Sequence, residues 1–187
     1  MFFFAHLQVL YNRVINILSI MKTIVENLLR QTGRENIDQL LTIMERGGYY
    51  SVPSYHHHTS CGGTLRHSLE VLLYALKHNK YKIPKDSLII VCLLHDLCKI
   101  HGSRHIHGHS KRSVKLIQDV AHVHLKSDEY YAIKYHMKGY KKVISYCNNY
   151  ILVINSPLWK LIRKADGHSA GHEMTKHELM QNMQEFL

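Results

Sequence analysis

The sequence predicts an all-α fold in one compact multi-helix domain, and three observations lead there. Apolar residues recur at intervals of three and four along most of the chain, the spacing of amphipathic helices. Only three prolines and ten glycines interrupt 187 residues, so long helices are permitted. No internal repeat, heptad run or low-complexity linker divides the chain, and its length suits a single core.

Taken in order, the first twenty residues open on Met1-Phe-Phe-Phe-Ala-His and are then broken by Gln8, Asn12, Arg13 and Asn16. That stretch is too polar for a spanning helix and lacks the positive start of a secretory signal. Met21 begins a plausible alternative start, so residues 1–20 read either as an added helix or as a mis-assigned start. Ile24, Leu28 and Leu29, then Ile37, Leu40, Leu41 and Met44, mark two helices separated by Thr32-Gly33. Gly47-Gly48 closes the second. The segment from Tyr49 to Gly63, with Pro53 and His56-His-His-Thr-Ser-Cys-Gly-Gly, reads as a loop.

A helix follows from Thr64 to about Asn79, then a linker through Pro84, then a helix from Leu88 to about Ile100. His101 to His109 is rich in glycine and histidine and reads as loop. Ser110 and Asp128 begin two further helices, the second stopping near Gly139. Tyr140 to Ile154 mixes β-branched and aromatic residues and reads as helix and loop, with a short strand as the alternative. Pro157 stands where a helix best tolerates proline, opening a segment through Asp166. The last helix covers about Thr175 to Phe186.

The charge balance is 24 Lys+Arg against 14 Asp+Glu, a formal net charge of +10. Such a chain tends to meet anions: nucleotides, nucleic acid or phosphorylated metabolites. The four cysteines show no paired zinc spacing and no Cys-x-x-Cys, which suggests a reducing, cytoplasmic compartment. Cys92 and Cys98 read as small apolar residues of one buried helix. Histidine is far above its usual share, with 17 copies.

Among these histidines, His95-Asp96 follows the apolar run Leu88-Ile-Ile-Val-Cys-Leu-Leu. A carboxylate there lies near the core, where it is costly unless partnered. His67 precedes the pair on one predicted helix and Asp166 follows it on another. Neutral imidazoles and ionised carboxylates converging from separate helices are the usual ligands of a divalent metal, which acidifies water into a nucleophile. Lys99, three residues beyond Asp96, lies on the same helix, either near the doublet or as a dipole-complementing terminal lysine.

Gly62-Gly-Thr-Leu-Arg-His67-Ser-Leu-Glu-Val, Leu93-Leu-His-Asp-Leu-Cys-Lys99 and Leu161-Ile-Arg-Lys-Ala-Asp166 together resemble the HD-domain superfamily of metal-dependent phosphohydrolases. The resemblance spans about residues 50–170. It implies a compact HD-domain bundle over 49–187 that forms one globular unit with N-terminal helices over 1–48. It also implies metal ligation by His67, His95, Asp96 and Asp166, with Asp96 and Lys99 catalytic and Lys99 meeting a substrate phosphate. Binuclear members place extra histidines between doublet and last aspartate, where His109 and His136 stand. His105 and His107 compete with His109 for that role. The run around His136 looks most like the dinucleoside tetraphosphate hydrolases, and the loop from His56 resembles one leading into the HD domain of certain exoribonucleases.

Arg66, His58 and Lys138 are expected to contact substrate, while His168 and His172 read as surface. The implied function is hydrolysis of a phosphoester or phosphoanhydride bond in a nucleotide or related small phosphorylated substrate. The implied cofactor is one or two divalent ions among Fe, Mn, Ni, Co, Zn and Mg. The alternative is an HD-type nuclease or nucleic-acid-binding module acting on single-stranded RNA or DNA. No membrane partner is expected.

Overall fold

The computed structural model describes residues 2–54, 57–102 and 108–186, with the side chains of 2–14 and 101–102 left outside that description. His56, His105 and His107 therefore lie outside the described residues. Ten α-helices and no strand occur among the described residues, as expected of an all-α chain. The helix–loop reading of residues 140–154 holds: α7 (Tyr140–Tyr146) and α8 (Tyr150–Asn155) fill it, so the strand alternative falls.

The first helix, α1, is continuous from Phe2 to Gln31, and α2 runs from Ile37 to Arg46. Met21, Val25, Leu28 and Leu29 on α1 and Leu40 and Met44 on α2 recur at helical spacing, and all are buried. Leu18 on α1 stands over Gly62, where a Cβ would come within 2.3 Å of a Leu18 methyl.

The central elements are α3 (Gly63–Lys77), α4 (Lys85–Leu94) and α9 (Pro157–Gly171). α3 packs against both of the others, and α6 (Ser127–Tyr135) closes on α4 and α9. α4 is apolar on every face and buried throughout its last eight residues, which makes it the axis of the core. α9 starts as its sequence suggests, with Pro157 in the first turn and the Ser156 hydroxyl accepting from Trp159 N–H at 3.2 Å. It continues past Asp166 to Gly171, which brings Ser169 inward. Trp159 is fully buried, and its indole N–H donates to the Tyr135 carbonyl at 3.0 Å.

The expected single helix from Leu88 to about Ile100 is in fact two elements. α4 ends at Leu94, His95 and Asp96 occupy a turn, and a 3-10 helix takes Leu97–Gly102. Cys92 and Cys98 are both buried but belong to different elements of this pair. α5 (His109–Lys115) then leads through a π-helical turn at Leu116–Val120, and α10 (Lys176–Met183) docks on α3.

A polar clamp ties the N-terminal helices to this core. Glu129 on α6 is fully buried, and its carboxylate accepts from Arg34 at 2.6 Å and from the Ser87 hydroxyl at 2.7 Å. Arg34 also reaches Asp86 at 3.0 Å. No helix among the described residues is long and apolar enough to cross a membrane.

Candidate metal centre

Six residues flagged by the sequence converge at one buried point. His67 comes from α3, His95 and Asp96 from the turn after α4, His109 from the start of α5, His136 from the end of α6, and Asp166 from α9. Around Asp96, Oδ2 lies 3.6 Å from His95 Nε2 and 3.8 Å from His67 Nε2. Its Oδ1 lies 3.6 Å from His109 Nε2 and 3.8 Å from His136 Nε2. Asp166 Oδ1 is 3.2 Å from His67 Nε2 and 3.7 Å from His95 Nε2. Each oxygen of Asp96 thus faces its own pair of imidazoles.

The tautomers follow from the partners on the outer side of each ring. His95 Nδ1 lies 2.9 Å from the Cys92 carbonyl and His136 Nδ1 lies 2.7 Å from that of Ile133. A carbonyl only accepts, so both rings carry their proton on Nδ1. For His67 the partner is the Ser169 hydroxyl at 3.1 Å, which donates its one proton to Glu70 Oε2 at 2.8 Å and so must accept from His67 Nδ1–H. In the neutral rings all three Nε2 atoms therefore aim lone pairs inward. His67 Nε2 and His95 Nε2 stand 3.2 Å apart. Two acceptors that close, with carboxylate oxygens beside them, are satisfied by a metal ion between them or by a proton on one ring.

Burial sharpens the demand. Asp96 Oδ1 and His136 Nε2 are buried and have no hydrogen-bond partner. Each would be a costly orphan unless an ion satisfied it. Burial holds His67 and His136 down to about 4, so both are neutral and able to coordinate at neutral pH. For His95, burial pulls the same way, but the Asp96 and Asp166 carboxylates outweigh it and raise the ring. Burial also opposes ionisation of Asp96, yet the charges of His95 and Lys99 hold its carboxyl far below the usual range. The donor set, the lone-pair directions and the two orphaned atoms fit a divalent cation. Two triads could each hold one: His67, His95 and Asp96, and Asp96, His109 and His136.

Lys99 lies on the 3-10 helix rather than on one helix with the doublet, and its Nζ is 2.6 Å from Asp96 Oδ2 and 3.1 Å from the Ser54 hydroxyl. The other expected substrate contacts are placed differently. His58 is fully buried, and its Nε2 lies 2.7 Å from Glu70 Oε2, which makes it part of the scaffold under His67. The Arg66 guanidinium is held by Glu173 at 2.7 Å, with Glu70 at 3.8 Å. Lys138 places its ammonium 4.9 Å from the Tyr146 ring centre. His168 and His172 are exposed, as expected of surface residues, and stack on each other with ring centres 4.7 Å apart.

The residues that sequence reasoning passed over are Glu70, Ser169 and Glu173. Glu70 is a buried carboxylate on α3, one turn after His67, and it accepts from His58, Ser169 and the Met174 backbone N–H. Glu173 binds the His58 backbone N–H and Arg66. The loop carrying His58 lies so close to α3 that a Cβ on Gly63 would sit 1.7 Å from the His58 carbonyl oxygen. Only glycine fits there. Glu70 had a readable signal, a charge within an apolar helix face; Ser169 had none.

The chain matches no curated protein and no solved structure. Residues 64–175, more than half of it, match the family model of the HD domain, and that span holds all six converging residues. With the helical bundle and this histidine–aspartate cluster, the match places the chain in the HD-domain superfamily of metal-dependent phosphohydrolases.

Proposed function

We propose that this protein is a metal-dependent phosphohydrolase that cleaves a phosphoester or phosphoanhydride bond in a nucleotide or related small phosphorylated substrate. The observation that supports this most is the facing pair of His67 and His95 Nε2 lone pairs, 3.2 Å apart, beside Asp96 and Asp166. In this reading His67, His95, Asp96 and Asp166 would hold one divalent ion, and His109 and His136 together with Asp96 would hold a second. The orphaned Asp96 Oδ1 and His136 Nε2 support the second position.

The ion supplies Lewis acidity and a nucleophilic water at neutral pH. The chain supplies the rest. His67, His95 and His136, each pinned at Nδ1, keep their Nε2 atoms oriented without rotation. Lys99, mostly buried beside Asp96, offers an ammonium to phosphoryl oxygens as negative charge builds on them. The +10 net charge draws an anionic substrate toward the site. Four cysteines, none in a disulfide, suit a reducing cytoplasmic setting.

A second reading, an HD-type nuclease acting on single-stranded RNA or DNA, draws on the same net charge. One experiment separates them. Untagged protein is analysed for metal, then supplied with Mn, Fe, Ni, Co, Zn or Mg against nucleoside monophosphates, deoxynucleoside triphosphates, dinucleoside polyphosphates, cyclic dinucleotides and single-stranded RNA. The proposal expects one or two equivalents of metal, lost in Asp96→Ala, with turnover of a small nucleotide that drops about 100-fold or more in Lys99→Gln. Turnover of RNA alone favours the nuclease. A metal-free wild type with no hydrolysis under any ion overturns both.

A further inference from the structure

A groove of about 880 Å³ lies where the C-terminal end of α3 and its following loop face the first turns of α9 and the start of α7. Its walls combine aromatic rings with cations and include no carboxylate. Tyr81 and Tyr140 line the groove and are 46% and 47% exposed, although Tyr140 also meets the buried Trp159 ring edge-on at 4.9 Å. Tyr74, which precedes both on α3, is stacked on His78 at 4.0 Å with the rings 17° from parallel.

The cations are paired with rings instead of acids. Lys80 Nζ stands 5.2 Å from the Tyr81 ring centre, and the Arg163 guanidinium 5.9 Å from that of Tyr140. Arg163 Nε is buried with no hydrogen-bond partner. Lys160 and Lys164 complete the basic wall on α9, and neither has a carboxylate within 4.0 Å among the described residues. A buried donor without an acceptor and uncompensated charge together call for an anion. Exposed rings on the same walls as the cations call for something planar beside an anionic group.

We propose that this groove binds single-stranded nucleic acid, with bases stacking on Tyr81 and Tyr140 and phosphates meeting Lys80, Lys160, Arg163 and Lys164. Rings and cations together on the walls of one groove suit the bases and phosphates of a single strand. A duplex keeps its base faces covered and cannot use the tyrosines. An acidic peptide uses the cations and leaves the rings idle. The proposal goes beyond the phosphohydrolase reading, since none of these residues belongs to the histidine–aspartate cluster and binding needs no ion. Arg163 and Lys164 stand shortly before Asp166 on α9, so a bound strand runs along the helix that also carries that carboxylate.

The test uses the full chain, chelator-treated, with a fluorescein-labelled 12-mer of uridine read by anisotropy across salt. Expected is binding whose logarithmic salt slope is about −2 to −3, from three to four neutralised phosphates at roughly 0.7 each. Lys160→Glu with Lys164→Glu should reduce that slope by about 1.4, two phosphates' worth. Tyr81→Ala with Tyr140→Ala should weaken binding about tenfold or more at fixed salt. Both pairs are largely surface positions, and circular dichroism with a thermal melt confirms that they fold; Lys164→Gln alone provides a milder variant, expected to reduce the slope by about 0.7. Lys111→Glu with Lys115→Glu on exposed α5 makes the same charge change elsewhere and should leave most of the affinity. Equal losses from both lysine pairs, no effect of the tyrosine pair, equal affinity for a 12-base-pair duplex, or no binding at 50 mM salt would each overturn the proposal.

Discussion

His67 and Ser169 are joined by a hydrogen bond of 3.1 Å in which the imidazole must be the donor, because the serine proton is already given to Glu70. The consequence is directional. With Nδ1 protonated and held, the His67 Nε2 lone pair is fixed toward His95, Asp96 and Asp166. Outer partners of this kind commonly contribute a factor of about 10–100 in metal affinity. Ser169→Ala removes one hydroxyl from α9 and leaves the Glu70–His58 contact in place. Its metal affinity, measured by competition with a fluorescent chelator, should fall about 10- to 100-fold while thermal stability of the metal-free protein changes little. Unchanged affinity would mean that packing alone orients His67.

His136 and His109 offer a stoichiometric prediction. Both face Asp96 Oδ1, whereas His67 and His95 face Oδ2. If two ions bind, His136→Ala should reduce bound metal from two equivalents to one and spare the other position. His67→Ala should instead impair the position on the Oδ2 side. Plasma emission analysis of dialysed protein reads both. A wild type holding a single equivalent that His136→Ala leaves intact would remove the second ion from the proposal.

These two predictions also mark what the sequence made legible. His67, His95, Asp96 and Asp166 stood out because each interrupts an apolar helical pattern, and a charge in such a place needs a partner. His109 and His136 could be picked from 17 histidines only through a family resemblance, since spacing along the chain says nothing about which imidazoles meet. Ser169 and Glu70 were invisible as a pair because their contact spans 99 residues and depends on how α3 crosses α9. The break between α4 and the 3-10 helix was equally hidden: Leu88 to Ile100 contains no glycine or proline to mark it. Arg66 looked like a free cation because its acid, Glu173, lies 107 residues away.

Glu129 gives a prediction for the fold itself. It is fully buried on α6 and accepts from Arg34, Ser87 and the Lys126 backbone N–H, the last at 2.9 Å. Removing one member of a buried ion pair typically costs about 3–5 kcal/mol, because the other charge is left uncompensated. Glu129→Ala should therefore lower stability to urea by roughly that amount. Arg34→Met with Glu129→Leu should recover much of the loss, since an apolar pair leaves no stranded charge. A double variant no more stable than Glu129→Ala would show that Ser87 and Asp86, rather than the Arg34 charge, carry the cost.

The pH dependence of the metal-free protein follows from the same buried cluster. Burial lowers His67 and His136 to about 4 from an unfolded value near 6.5. Between those limits the unfolded chain binds protons that the folded one refuses, so stability rises with pH there and falls on acidification. His95 moves the other way, raised by Asp96 and Asp166 against its burial; its contribution is present below about 6.5 and is lost as pH rises through its folded value. Three depressed imidazoles at the candidate metal centre, His67, His136 and His109, the last also lowered chiefly by burial, against one raised one make acid the losing direction from about 6.5 down to 4. Urea midpoints of chelator-treated protein should fall steadily across that window. His136→Gln, which removes one of these titrations, should flatten the fall. A midpoint that stays constant from pH 6.5 to 4 would mean that these imidazoles are protonated in the folded state, with Asp96 and Asp166 taking the protons' charge in place of an ion.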